Sequence, residues 1–308
     1  MSAGKIQVYG IGQCPLDHIG RIEAYPPPDM KCEFTDLTVA GGGPAATAMV
    51  ALSRWGISCA FAGAVGDDAF GGTIRASLKE EGIDTGGIRV RQGGASQFAF
   101  IVAEPATARR TIFWRRPTGL PLMPEELDYD VIHQAKVIHT DGLFMEASLA
   151  ACRAGREKGV QIVLDAGTLR EGMLDLVRLS DYCVVSEPFA ESLVGDAGPL
   201  EACYRLKSLG PRLVGVTLGE KGYVALAGEK IIRRSAYPVE ALDTTGCGDI
   251  FHAGITYGLV MDWTMEAALD FGAWAAAMVT RKLGGRKGIP SRREIEETKF
   301  DEIGKSRS

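Results

Sequence analysis

At 308 residues, 46% hydrophobic and 24% charged, the chain can bury one large α/β core, with or without a small appendage. A formal net charge of −5 and a pI of about 5.5 leave no basic footprint for nucleic acid, and no apolar run approaches the ~20 residues of a membrane-spanning helix. The start, MSAGKIQVYG, has no charged segment leading into a long apolar run. Seven scattered cysteines form no CxxC pair, and the histidines His18, His133, His139 and His252 have no metal-ligand spacing. A reduced, cytoplasmic protein without a structural zinc is expected.

The first strand reads at 6–12 and ends in a Gly10-x-Gly12 pair. Neither a third glycine nor a helix follows at the spacing a dinucleotide fold requires. Cys14-Pro15-Leu16-Asp17 and a Pro-rich turn at 26–28 come instead. Asp17 stands just past a strand end, where open α/β sheets make ligand contacts, although a solvated loop acid reads the same way. Gly41-Gly42-Gly43-Pro44 then opens a helix over 45–56, with proline in the first turn and Gly56 as a C-cap. Bare glycines before that helix let a polar ligand approach the backbone.

A strand over 58–64 and a helix ending at Leu78 follow, with Asp67 and Asp68 suited to capping. From 88 to 118 the pattern changes to short alternating stretches, 97–103 and 110–114, separated by turn residues, which predicts antiparallel strands. A small sheet with one apolar face needs cover. Trp114-Arg115-Arg116 ends it, either as a solvated basic turn or as contacts for an anionic acceptor.

Beyond residue 130, strands at 136–140, 160–165, 182–186 and 213–218 alternate with helices at 147–158, 173–179, 188–194 and 199–209. Such alternation predicts a parallel, doubly wound sheet. A hairpin at 223–226 and 230–234 follows the turn of Gly219 and Gly222, and an Ala-rich helix spans 265–282.

Between the hairpin and that helix lies Asp243-Thr244-Thr245-Gly246-Cys247-Gly248-Asp249. Gly-rich backbone entering a helix N-terminus points unpaired N–H groups at an anion and adds the helix dipole. A carboxylate at its mouth, Asp249, can orient or deprotonate a hydroxyl while the amides hold a transferring phosphate, or it can simply cap the helix. The Cys247 thiol is drawn towards thiolate by the helix terminus and pushed away from it by Asp249.

The string DTTGCGDIFHAG at 243–254 resembles the DTxGAGDxFxxG signature of the ribokinase-like (phosphofructokinase-B) carbohydrate kinases, with Cys247 at the usual alanine. GAVGDDAFG at 63–71 is similar to that family's GxVGxDxxG, and VTLGEKG at 216–222 to its nucleotide turn. GGGPAAT is similar to GGxxxN with Thr47 for asparagine; SEPF falls at NxxE with Ser186 and Phe189 replacing both ends. Together with GGRKGIP at 284–290, the wording most resembles the branch containing sulfofructose kinases.

The resemblance implies one domain over 1–308, a doubly wound, mostly parallel α/β sheet whose β lid comes mainly from 88–118 with part of 14–40. It implies ATP-dependent phosphorylation of a sugar-like hydroxyl with Mg²⁺. Asp249 would act as base, and the amides of Gly246, Cys247 and Gly248 as anion hole. Acceptor contacts would come from Asp17, Lys31, Gly42, Gly43, Thr47 and Arg115. Nucleotide contacts would come from Ser186, Thr217, Gly219, Gly222, Gly246 and Gly248. Glu187 would serve Mg²⁺, while Asp243, Thr245 and Gly284 would cage a monovalent cation such as K⁺. Relatives pair lids, so a homodimer is implied. A nucleoside or sugar-phosphate kinase, and a sugar-binding regulator with weakened turnover, are the alternatives.

Overall fold

The computed structural model describes residues 5–104, 109–298 and 300. Its strands are β1 (Val8–Ile11), β2 (Leu16–Arg21), β3 (Asp36–Gly41), β4 (Cys59–Gly66), β5 (Asp84–Arg91), β6 (Phe98–Glu104) and β7 (Arg109–Arg115), then β8 (Val137–Thr140), β9 (Gln161–Ala166), β10 (Tyr182–Ser186), β11 (Leu213–Thr217), β12 (Tyr223–Ala227) and β13 (Lys230–Arg234). The helices are α1 (Pro44–Arg54), α2 (Ala69–Glu80), α3 (Tyr129–Gln134), α4 (Met145–Glu157) and α5 (Met173–Leu179), then α6 (Glu187–Val194), α7 (Pro199–Lys207), α8 (Cys247–Val260), α9 (Met265–Val279) and α10 (Arg292–Glu297).

The larger sheet runs β13-β12-β11-β10-β9-β8-β1-β4-β5. From β11 to β5 it is parallel, and β12 and β13 close one edge antiparallel. Strands such as VYGI and QIVLDA are apolar at almost every position because both faces are covered. One core packs α1, α2, α8 and α9 on the first face; the other packs α3 to α7 on the second. Around Phe271, the rings of Trp55, Tyr257 and Trp263 lie 5.1–5.5 Å from it and lock α1, α8 and α9 together.

The chain leaves β1 for β4 and β5 on one side, then returns to β8 on the other. That reversal opens a crevice at the carboxyl ends of β1 and β8, the place where doubly wound sheets bind ligands. The second sheet, β3-β2-β6-β7, stands beside it. Its β2–β6 pairing is parallel and the other two are antiparallel.

Two readings of the sequence shift. Residues 88–91 belong to β5, which pairs with β4 at the edge of the large sheet and not with the small one. Alternation alone cannot tell an edge strand of one sheet from a strand of another, since both are covered on one face. Residues 16–21 and 36–41, flanked by prolines and glycines, show no strand pattern of their own, and the resemblance placed only an undefined part of 14–40 in the lid; they form β2 and β3. Among the described residues no helix is long and apolar enough to cross a membrane.

Candidate active site

Each central strand delivers a polar group at its carboxyl end. Asp141 follows β8, Asp165 is next to last in β9, and Ser186 and Thr217 end β10 and β11. All four line a cavity of about 330 Å³ that they share with Arg110, Arg170, His252 and the segment from Gly246 to Asp249. The first turn of α8 therefore faces the strand ends, and its N–H groups and the Asp249 carboxyl share one cavity.

Why α8 starts there follows from local geometry. Gly246 is its N-cap, in the left-handed region at φ 77°. A Cβ on Gly246 would lie 2.6 Å from Gly285 Cα, so neither the torsion nor the space suits another residue. The Asp243 carboxylate staples the approach: Oδ1 accepts from Thr245 N (2.9 Å) and Thr245 Oγ1 (2.7 Å), and Oδ2 accepts from Gly284 N (2.8 Å). Asp243, Thr245 and Gly284 do meet. Their mutual bonds use the carboxylate as acceptor, so a cation there would rest on backbone carbonyls.

Burial dominates the electrostatics. It pushes the Asp249 carboxyl up to about 7, with Asp165 adding to the push and His252 opposing it. Asp141 is likewise raised to about 7 by burial, against three backbone N–H donors from Leu143, Ala45 and Gln13. The Cys247 thiol is raised by burial and then by Asp249, so the opposed pulls on it resolve against thiolate.

Asp17, on β2 between Ala40 and Ala99, is buried and raised to about 6, the Arg286 guanidinium opposing the shift. A Cβ on Gly42 would lie 1.9 Å from Asp17 Oδ2, so the bare backbone lets the carboxyl sit against it. Arg286 Nη2 donates to Gly42 O at 3.2 Å. Thr47 is buried one turn into α1, its N–H donating to Gly43 O at 2.8 Å. Asp17, Gly42, Gly43 and Thr47 thus gather around the entry to α1, outside the lining of the described cavity.

Two arginines exchange places relative to expectation. Arg115 is exposed on β7 and does not line the cavity, whereas Arg110 lines it and donates from Nη1 to Thr244 Oγ1. An odd spacing along a strand puts the two side chains on opposite faces, which the sequence reading did not resolve. Lys31 is exposed in the loop before β3.

On the β10–β11 side, Ser186 Oγ accepts from Phe189 N (3.2 Å) as cap of α6 and donates to Gly167 O (2.8 Å). Gly219 and Gly222 frame a tight turn, closed by Leu218 N donating to Gly222 O at 2.8 Å. That turn lies beside a separate cavity lined by Leu218, Lys221, Tyr223 and Arg234. Glu187 pairs with Lys221 at 3.3 Å and is not part of the 330 Å³ cavity, so the expected Mg²⁺ carboxylate points elsewhere.

Sequence reading missed Asp141, Asp165, His252, Arg110 and Arg170. The strand-end rule applied to Asp17 also singles out HTD at 139–141 and LDA at 164–166; the two arginines had no such signal.

A family profile described as "pfkB family carbohydrate kinase" matches residues 5–292. Fructokinase-1 of Zea mays is 26% identical over 322 residues, covering 96% of this chain and 98% of its own. Ribokinase of Haemophilus influenzae is 27% identical over 298 residues, covering 92% and 95%. The crystal structure of a ribokinase from Thermotoga maritima superposes with a TM-score of 0.82 at 21% identity, over 95% of this chain and 98% of that one, a likeness of fold. These likenesses carry the family and not one branch of it.

Proposed function

The chain belongs to the pfkB family of carbohydrate kinases, and from that premise we propose that it transfers the terminal phosphoryl group of ATP to a hydroxyl of a sugar-like acceptor. One observation carries the reading: the Asp249 carboxyl and the N–H groups at the start of α8 open into one cavity at the carboxyl ends of the strands. In this mechanism the amides of Gly246, Cys247 and Gly248 hold charge on the transferring group, and Asp249 takes the hydroxyl proton. Phosphoryl transfer passes through a loose transition state, so alignment and electrostatics outweigh proton removal. Asp17, Gly42, Gly43 and Thr47 would hold the acceptor; Ser186 and Thr217 would face the nucleotide, with Gly219 and Gly222 shaping the adjacent turn.

Mg²⁺ accompanies this chemistry when bound, neutralising phosphate charge. The donor expected for it, Glu187, does not fit, being turned to Lys221, and among the described residues no three His, Cys, Asp or Glu groups converge as ligands. An ion held mainly by nucleotide phosphates and water is compatible with that set, and no step here depends on a protein ligand. The test is a panel of ketoses, aldoses, sugar acids, nucleosides and sugar phosphates assayed for ADP release. Acceptor-dependent release supports the proposal; none with any of them contradicts it.

A second reading, an anionic acceptor, is favoured by Arg110 and Arg170 in the cavity. Arg110→Ala should then raise the acceptor KM by about tenfold or more, the loss of a charged hydrogen bond, while Arg115→Ala leaves both KM values unchanged. Equal effects of the two substitutions would return Arg110 to a structural role.

The same small sheet would join two copies. Its Leu37, Val39 and Phe113, on one face, are about half exposed, and Ile112 and Trp114 beside them on β7 are similarly bare. Among the described residues β7 pairs only with β6, leaving an open edge. Sedimentation at micromolar concentration should show a dimer that Phe113→Lys dissociates; a monomeric wild type would refute the pairing.

A further inference from the structure

A buried pair of side chains lies behind Asp249 and has no part in the mechanism above. His252 follows it by three positions on α8, on the same side of the helix, and is 3% exposed. Its Nδ1 lies 2.8 Å from Gly248 O and 3.4 Å from Asp165 Oδ2, and its Nε2 lies 3.0 Å from Val184 O. Both ring nitrogens are thus engaged, which fixes the orientation of the ring. The contact to Gly248 O also fixes the peptide plane whose N–H belongs to Asp249. Asp165, 7% exposed at the end of β9, faces the ring, and among the described residues its buried Oδ2 has no hydrogen-bond partner. Behind the ring, Thr256 Oγ1 donates to His252 O at 3.0 Å and meets His139 Nδ1 at 2.9 Å, which holds His252 from the core side.

Resting on the reading of Asp249 as base, we propose that the contacting pair Asp165 and His252 are positioning residues for Asp249 in their shared cavity, and that together they set the pH range of turnover. Both line the same cavity as Asp249. Side chains as buried as Asp165 and His252 are weakly screened by water. Other groups face Asp249 as well. Asp17 from β2 resists its carboxylate and Arg286 from the turn after α9 favours it, each with less effect than Asp165 or His252. Cys247 stands beside it on α8, with Arg110 of β7 and Asp243 of the preceding loop acting on that thiol, and Asp165 in turn raises Asp141 after β8. Asp17 and Arg286 do not line the cavity, which singles out the Asp165–His252 pair.

The sign follows from the acid being the inactive form. Turnover rises with pH as Asp249 ionises, giving an acidic limb near 7. Asp165→Asn removes a negative charge at almost constant shape and should move that limb down by on the order of one pH unit. His252→Gln removes the ring that opposes the rise of Asp249 and should move the limb up. The measurement is kcat/KM for the acceptor from pH 5.5 to 9, each variant read against its own high-pH plateau, with thermal melting to show that both are folded. A structural role would lower the plateau or the melting temperature without moving the limb. Opposite shifts support the proposal; unmoved limbs, or shifts in one common direction, overturn it. Should His252→Gln fail to fold, the direction of the Asp165→Asn shift alone decides. A wild-type profile without an acidic limb, or a limb that survives in Asp249→Asn, overturns the reading of Asp249 itself. A limb lost in Asp249→Asn but unmoved by Asp165→Asn overturns only the role of the pair.

Discussion

Asp249→Asn is expected to lower kcat by about 10²–10⁴-fold while folding and nucleotide affinity persist, the usual share of a positioned base. The carboxyl faces the cavity from the first turn of α8, where an amide of the same shape preserves packing and helix start but takes up no proton. The cap of α8 is Gly246, so the alternative for Asp249 is a first-turn acid that only complements the helix dipole, where asparagine would have little effect on turnover. Turnover and nucleotide Kd, measured on one preparation, separate the two accounts: a normal kcat leaves Asp249 a first-turn acid, and an equal loss of nucleotide binding makes it a structural residue.

Gly246→Ala should cost about as much for a different reason. Its φ of 77° is strained for alanine, and the added Cβ would meet the backbone of Gly285 at 2.6 Å. Backbone cannot swing aside as a side-chain tip can, so the loop before α8 must shift and carry its N–H groups with it. Losing one such donor typically costs about 10²–10³-fold in kcat. Strain of this kind should also lower stability by about 1–3 kcal/mol. Gly248→Ala provides the control. There an added Cβ meets nothing within 4 Å, so stability should hold, and any fall in turnover then reports on what the cavity binds. Full activity in Gly246→Ala would remove the anion hole from the mechanism.

How far the sequence reveals this molecule differs from element to element. The regular strands at 136–140, 160–165, 182–186 and 213–218 were legible because parallel strands covered on both faces leave unbroken apolar runs. The start of α8 was legible because glycines next to a helix leave a chemical signature. β2 was not, since its hydrophobic pattern is interrupted by Gly20 and bounded by prolines, and its partners on β6 lie 82 positions further on, as Leu16 and Phe98 do. The phase of β7 was also hidden. Sequence offers Arg110, Arg115 and Arg116 as equals, and only pairing with β6 turns Arg110 towards Thr244. Asp165 and His252 lie 87 positions apart, and nothing in either neighbourhood announces that they meet. Glu187 shows the reverse: a motif position points to it as a metal donor, whereas Lys221, in the turn after the neighbouring strand, pairs with its carboxylate.

The most direct test of the central claim is the fate of the phosphoryl group. Wild-type enzyme and Asp249→Asn are incubated in parallel with ATP, Mg²⁺ and the acceptor that releases ADP, and the acceptor is analysed by mass spectrometry. The account predicts an acceptor heavier by one phosphoryl group, formed one for one with ADP by the wild type and about 10²–10⁴-fold more slowly by the variant. ADP formed without a phosphorylated acceptor, or equal product from both proteins, would contradict it.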